Sequence, residues 1–360
     1  MRSFEAFSVP FVQFGAGTSS KAGKIISSFC KPRATILLIT DQNILASGML
    51  ERIVEGIHEE GFDLEILDSI PAEPTDNDLD LLAGKVRETN PSAMIAVGGG
   101  SVIDATKVLS TLAIHQCSTM ELADRGVPGR GIPCVMIPTT AGTGAEATPN
   151  AIVLFPSRNL KIGIVSRYLI PQFVILDPEL TLGLPASLTA STGIDAICHL
   201  LECYIGKKAN AFSDMYALEG LRLMMTSLQV AYHEGSNLEA RSKAMLGAYY
   251  GGVCITASGT NAIHALSYPL GGIYRIPHGI ANAILLVPVM KYQKEFIASR
   301  LAMVADAIGS GIKGDVRARA NELIESLRSL VKEMGIPATL KPFGISTSAL
   351  DTLADAAYGV

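Results

Sequence analysis

The sequence predicts an α/β N-terminal domain built on a parallel sheet, followed by an all-α C-terminal domain. Three observations carry that prediction. In the first half, short aliphatic runs alternate with helical patterns, the arrangement of parallel strands joined by crossover helices. One of those runs opens directly into Gly98, Gly99 and Gly100 and then into a helix. After Pro185 the pattern becomes amphipathic and helical, with almost no period-two alternation. A chain of 360 residues is too long for one simple core, so the domains are set at 1–180 and 181–360.

Each element has its own signal. ATILLIT at 34–40 reads as a strand, and a helix is expected from Ala46 to Glu60. LEILDSI at 64–70 is the second strand. Thr75 or Asp76 then supplies an N-cap for a helix through DLDLLAGKVRETN. SAMIAVGGG is the third strand, and the helix after it, Val102 to Ile114, begins at the glycines. IPCVMIP is a further strand running into a Gly/Thr turn, while AIVLF and FVILDPEL read as later strands.

Charge and composition exclude several partners. A formal net charge of -5 with no basic run argues against nucleic acid or an anionic membrane. Between Lys243 and Arg275 there is no Lys, Arg, Asp or Glu, but Gly251, Gly252, Gly259, His264 and Pro269 interrupt the stretch. A helix buried in protein is expected there, not a membrane span. Glu5 and Pro10 break the apolar core that a signal peptide needs, and the six cysteines form no CxxC or compact framework. The expected location is the reducing cytoplasm.

VGGGSVIDATK, from Val97 to Lys107, is strand, glycines, helix. Gly98, Gly99, Gly100 and Ser101 offer little side chain to obstruct a phosphate, and the unpaired N–H groups of the helix start favour an anion there. It is not the GxGxxG fingerprint, and a tight strand-to-helix turn is the plainer alternative. PTTAGTGAEAT presents Thr139, Thr140, Thr143 and Thr148, hydroxyls suited to ribose and phosphate oxygens or to bonding their own turn. Asp41 closes the strand ATILLIT, where an acid can hold a ribose 2'-hydroxyl and repel a 2'-phosphate, or cap a helix. Lys161 reads equally as a neutraliser of cofactor phosphate or as a surface lysine.

In TGIDAICHLLECY, Asp195 and His199 share one face of an otherwise apolar helix. Such groups aimed into an apolar interior imply pairing, metal coordination or catalysis, because burial without a partner costs several kcal/mol. A later Gly-rich stretch adds His264 and His278. Three neutral imidazoles and one carboxylate suit Fe2+ or Zn2+ better than Mg2+ or Ca2+.

Taken together, GGGSVIDATK, PTTAGTGAEAT, DPEL at 177–180, TGIDAICH and the pair His264 and His278 with PHGIANAILL resemble the iron-containing (group III) alcohol dehydrogenases, from VPFVQFGAG to about Pro288. The resemblance implies a Rossmann-like dinucleotide-binding domain, a helical domain in a dehydroquinate synthase-like fold, and a metal-assisted active site in the cleft between them. It implies that Asp195, His199, His264 and His278 are the metal ligands and that Gly98, Gly99, Gly100 and Ser101 hold the pyrophosphate. Thr139, Thr140, Thr143 and Thr148 match the second cofactor loop, and Asp41 matches the acid that disfavours NADP. Lys161 and Leu180 match further cofactor-contacting positions. His199, as a fourth ligand, separates the chain from the related glycerol dehydrogenases and dehydroquinate synthases with their three-residue zinc sites. A homodimer or larger assembly, with VPFVQFG as an exchanged edge strand, also follows by analogy.

Three departures stand out. Tyr268 occupies a position that is usually histidine in the family, near the substrate and involved in moving the proton. Ala145 replaces a usual serine, and the chain ends at Val360, ahead of a C-terminal helix common among relatives. The expected reaction is reversible hydride transfer between NAD(H) and a small primary alcohol or diol and its aldehyde, with the metal as Lewis acid on the alkoxide oxygen and Tyr268 and His278 at the catalytic centre. A lyase or cyclase using NAD transiently would need a Lys/Arg phosphate cluster, which residues 244–274 do not offer. An NAD-binding oligomeric scaffold with weakened catalysis is motivated by Tyr268 and opposed by the four intact ligand positions.

Overall fold

The computed structural model describes residues 3–158, 160–309, 311 and 313–358. It contains two compact units, one of Phe7–Thr140 with Ala145–Thr181, the other of Leu182–Val360 with Met1–Ala6 and Ala141–Gly144.

The first unit holds strands β1 (Phe11–Phe14), β2 (Thr35–Ile39), β3 (Asp63–Leu67), β4 (Ala93–Gly98), β5 (Cys134–Pro138), β6 (Asn150–Phe155), β7 (Leu160–Val165) and β8 (Phe173–Leu176). Its helices are α1 (Ala22–Ile26), α2 (Gln42–Ala46), α3 (Glu51–Glu59), α4 (Asp76–Thr89), α5 (Gly100–Ile114) and α6 (Thr119–Arg125). Six strands form one sheet in the order β1-β8-β5-β4-β2-β3, parallel at every pairing. β4 and β5 are buried along their whole length, as expected of parallel strands covered on both faces. Ile36, Leu38, Ile95, Val97, Val135 and Ile137 pack there against Ile26, Ile53 and Ile57. From β2 the chain steps out to β3 and returns to β4 on the other side of β2, so the strand order reverses between β2 and β4. The crevice at the carboxyl ends of these two strands is where such sheets take ligands.

Two local features depart from expectation and one bears it out. The helix expected over 46–60 begins only at Glu51, as α3, after a turn in which Gly48 adopts a left-handed φ of 74° and which separates it from the short α2. AIVLF does not join the main sheet. It becomes β6 of a separate antiparallel hairpin with β7, LKIGIV. The cap signal at Thr75 is realised as a reciprocal capping box with Asp78.

The second unit is helical: α7 (Ala186–Ile205), α8 (Ala211–His233), α9 (Leu238–Ala257), α10 (Ala262–Tyr274), α11 (His278–Ala307), α12 (Val316–Glu333) and α13 (Leu350–Tyr358). α7 is buried on all sides from Gly193 to Tyr204, the condition of a helix apolar all round. α8, α9 and α11 surround it, with Ile194, Ile197, Leu200 and Leu201 meeting Leu221, Met224, Ala248 and Leu286 in one core. Among the described residues no helix is long and apolar enough to cross a membrane.

Candidate active site

α7 carries Asp195, His199 and, at i+7, Glu202 along one stripe, at 2%, 5% and 0% exposure. His264 lies in the first turn of α10 behind its cap Asn261, and His278 is the first residue of α11. A Cβ at Gly279 would stand 2.3 Å from Ser191 O, so only glycine lets the first turn of α11 lie this close to α7. One ligand atom from each of Asp195, His199, His264 and His278 falls within 4.8 Å of all the others. Asp195 Oδ1 is 3.7 Å from His264 Nε2 and 3.6 Å from His278 Nε2. The rings of His199 and His264 stack at 4.4 Å. The His278 side chain is 34% exposed, so the cluster opens on that side.

The electrostatics favour a cation. Burial pushes the Asp195 carboxyl up, but His199, His278 and His264 together outweigh it and hold the group well below the usual carboxylate range. Burial lowers His199 to about 4, leaving a neutral imidazole. His264 is also penalised by burial, yet its bonds to Asp195 and Glu202 raise it to about 9. His199 Nδ1 is buried with no hydrogen-bond partner. A tetrahedral ion with bonds of about 2.1 Å would set its ligand atoms about 3.4 Å apart, close to the separations found here. Both the donor chemistry and the spacing fit a divalent transition metal such as Fe2+ or Zn2+.

Two residues at this cluster escaped sequence reasoning. Glu202 Oε2 accepts from His264 Nδ1 at 2.5 Å, and its Oε1 accepts from the Ile263 N–H at 2.5 Å. Asn282 Nδ2, fully buried, donates to Asp195 Oδ1 at 2.6 Å and lies 3.1 and 3.2 Å from the Nε2 atoms of His264 and His278. The available signal was periodicity: Glu202 follows Asp195 by seven residues and Asn282 follows His278 by four, each on the ligand's own face.

The other predicted residues lie in the α/β unit or at its loops. Gly98 ends β4, Gly99 caps α5 in an extended conformation, and Gly100 and Ser101 open that helix. The Ser101 hydroxyl donates to Ala72 O. Asp41 stands just past β2, on the other side of the strand-order reversal, and its Oδ1 caps α2 by accepting from Asn43 and Ile44 N–H at 2.8 and 3.1 Å. Thr139 N–H donates to Gly98 O at 3.0 Å, and Thr140 is half-buried beside it. Thr143 belongs to the short segment grouped with the helical unit. Thr148 is buried, its hydroxyl turned to Lys107 Nζ and Ala145 O, each at 3.2 Å. Lys161 pairs with Glu73 at 2.5 Å, and Leu180 packs into the core of its unit.

Lys107 was also missed. At 1% exposure its Nζ donates to Ala145 O (2.5 Å), Asn150 O (2.7 Å) and Thr148 O (3.0 Å), with Asp104 Oδ1 at 3.7 Å. Asp104 Oδ2 meanwhile accepts from the Ile152 N–H at 3.0 Å. The helix that begins at the glycines is thereby tied to the threonine turn.

A glycine turn at the reversal point of a parallel sheet, in the same chain as a buried three-histidine, one-aspartate cluster, defines a metal-dependent dehydrogenase. The chain belongs to the iron-containing alcohol dehydrogenase family: that family's model matches residues 10–178, and the model of its C-terminal region matches 189–359. It is 34% identical to long-chain-alcohol dehydrogenase 1 of Geobacillus thermodenitrificans (strain NG80-2), over 88% of this chain and 81% of that protein. It is 28% identical to the NAD-dependent methanol dehydrogenase of Bacillus methanolicus, over 98% and 92%. The crystal structure of a 1,3-propanediol oxidoreductase superposes with a TM-score of 0.95 at 30% identity, over 100% of this chain and 94% of that one. The chain is a metal-dependent alcohol oxidoreductase, and neither the lyase nor the scaffold reading is favoured.

Proposed function

We propose that the chain transfers a hydride reversibly between NAD(H) and a small primary alcohol or diol and its aldehyde, with Fe2+ held by Asp195, His199, His264 and His278. The observation that carries this reading is the convergence of four buried or half-buried donor groups within 4.8 Å of one another. When bound, the metal supplies Lewis-acid polarisation of the substrate oxygen and NAD supplies the hydride acceptor.

The protein's own groups bind and align. The first-turn N–H groups of α5, reached past Gly98, Gly99, Gly100 and Ser101, receive the pyrophosphate. Thr139, Thr140 and Thr143 offer hydroxyls to the cofactor, Thr148 shapes the turn, and Lys161 and Leu180 border it. Asp41 takes the ribose hydroxyls and repels a 2'-phosphate. The partly exposed side of His278 marks the approach of the substrate, and Tyr268 Oη orients its hydroxyl. A tyrosine hydroxyl both donates and accepts hydrogen bonds, which suits it to that role. The division of labour falls at residue 180, cofactor before and metal and substrate after.

A cytoplasmic homodimer or larger closed assembly is part of the same reading. β1 lies at a sheet edge with Phe11 and Phe14 at 42% and 43% exposure, which supports a second copy pairing there.

The test is turnover of short alcohols and diols by metal-stripped protein reloaded separately with Fe2+ and Zn2+. Activity restored by Fe2+, with NADP much poorer than NAD, is the expected result. Failure of both metals to restore turnover in protein that still binds NAD sinks the reading.

A further inference from the structure

The geometry points to Glu202 as the positioning residue that selects which nitrogen of His264 faces the metal and locks α10 against α7. The inference rests on the proposed reading that Asp195, His199, His264 and His278 take a metal ion.

Every group that Glu202 meets in this corner is a donor. Its Oε2 faces His264 Nδ1 and its Oε1 faces the Ile263 main-chain N–H, both at 2.5 Å. Its main-chain carbonyl accepts from Asn261 Nδ2 at 2.9 Å, while Asn261 Oδ1 caps α10 through the Ala262 N–H at 2.7 Å. Four successive residues, Asn261 to His264, are thereby docked on or beside one residue of α7. The carboxylate also sits at the start of the thirteen-residue α10, where its negative charge meets the positive end of the helix dipole and the N–H of Ile263. That explains how a carboxylate with 0% exposure is tolerated in the core.

The consequence for His264 is chemical. A carboxylate accepting at Nδ1 keeps a proton on that nitrogen, so Nε2, 3.7 Å from Asp195, is the nitrogen that gives up its proton and offers a lone pair when a metal binds. Glutamine has nearly the same shape but only one acceptor. If its oxygen takes the Ile263 N–H, its NH2 group confronts the His264 N–H. The ring then relieves that clash by moving its proton to Nε2, the nitrogen the metal needs. Charge, size and burial matter less here than having two acceptors.

Two measurements test this. Metal-stripped wild type and Glu202→Gln are titrated with Co2+ against a chromophoric chelator while the visible absorption of the bound ion is recorded. Wild type is expected to bind one Co2+ per chain, and E202Q to bind about 10- to 100-fold more weakly with an altered spectrum. E202Q matching wild type in affinity and spectrum overturns the role of Glu202 alone. Wild type failing to bind Co2+ overturns the metal reading beneath it. The second measurement needs no variant and so survives misfolding of E202Q. In Zn2+-loaded wild type labelled with 15N-histidine, NMR should place the His264 proton on Nδ1. A proton on Nε2 refutes the inference.

Discussion

The rings of Tyr268 and His278 lie nearly parallel, 15° apart in plane, with centroids separated by 6.1 Å. His278 in turn sits 5.3 Å from His264, so the tyrosine flanks the one member of the four-residue cluster that is not buried. Removing its hydroxyl should affect the chemistry more than the metal. Tyr268→Phe is expected to lower kcat about 100-fold with metal content and NAD affinity unchanged, and Tyr268→His to keep much of the activity. Steady-state kinetics beside metal analysis decide it, and a wild-type kcat for Y268F would remove Tyr268 from the reaction.

The observed capping of α2 by Asp41 and its proposed discrimination between NAD and NADP can be separated. Serine caps a helix about as well as aspartate but carries no charge. Asp41→Ser should therefore leave Tm nearly unchanged while raising kcat/KM for NADP about tenfold, the effect of relieving about 1.4 kcal/mol of repulsion. Unchanged preference between NAD and NADP would show that Asp41 only caps α2.

Lys107 leaves three main-chain carbonyls without their donor if it is replaced by an apolar chain of similar length. Burial pushes the Lys107 ammonium pKa down, with Asp104 and Glu146 opposing, and the surrounding acceptors all require a donor. Lys107→Met is expected to destabilise the protein by about 3 kcal/mol in urea unfolding, because a buried ionic contact loses one partner. Its KM for NAD should also rise, since the turn bearing Thr148 loses its tie to α5. Wild-type stability would contradict this account of the clamp.

Beneath the same turn, burial raises Glu146 from 4.5 to about 7 and Asp104 from 3.8 to about 6. Both acids hold protons in the folded state at pH values where the unfolded chain has released them. Their contribution to stability is therefore greatest below about pH 4 and is lost as pH rises towards 7, for Glu146 by about 3 kcal/mol. Glu146→Gln should flatten this slope, gaining on wild type between about pH 5 and pH 8 in denaturant titrations. Parallel curves for the two proteins would refute it.

What was legible in the sequence was whatever neighbouring residues determine. The capping box at Thr75 and the glycine turn of β4 and α5 depend on contacts within one turn, and the amphipathic second half announces its helices. The two ligand pairs were visible as polar residues on apolar stretches, and the structure gathers their donor atoms. Glu202 and Lys107 were harder to read, because the partners that fix their roles lie about forty to sixty residues away and the local cues, a seven-residue spacing and a nearby Asp104, do not name them. The capping role of Asp41 was one of the two readings its position offered, whereas the break at Gly48 depends on a backbone angle that the sequence alone does not set. β6 was legible as the strand AIVLF, but its pairing with β7 away from the main sheet is a matter of tertiary contact that pattern does not specify.

The enclosure of α7 also governs where this enzyme can change. A helix without a solvent face has no position at which a new side chain is free, so nearly any replacement between Gly193 and Tyr204 disturbs a neighbour as well as itself. α10 is different: Tyr268 is only half-buried and Ile273 is exposed at 49%. Mutational tolerance is thus divided between α7 with the docked first turn of α10, both rigid, and the partly exposed positions further along α10. Laboratory evolution for new alcohols should accordingly collect its changes at positions such as Tyr268 and Ile273 and leave α7 as it is.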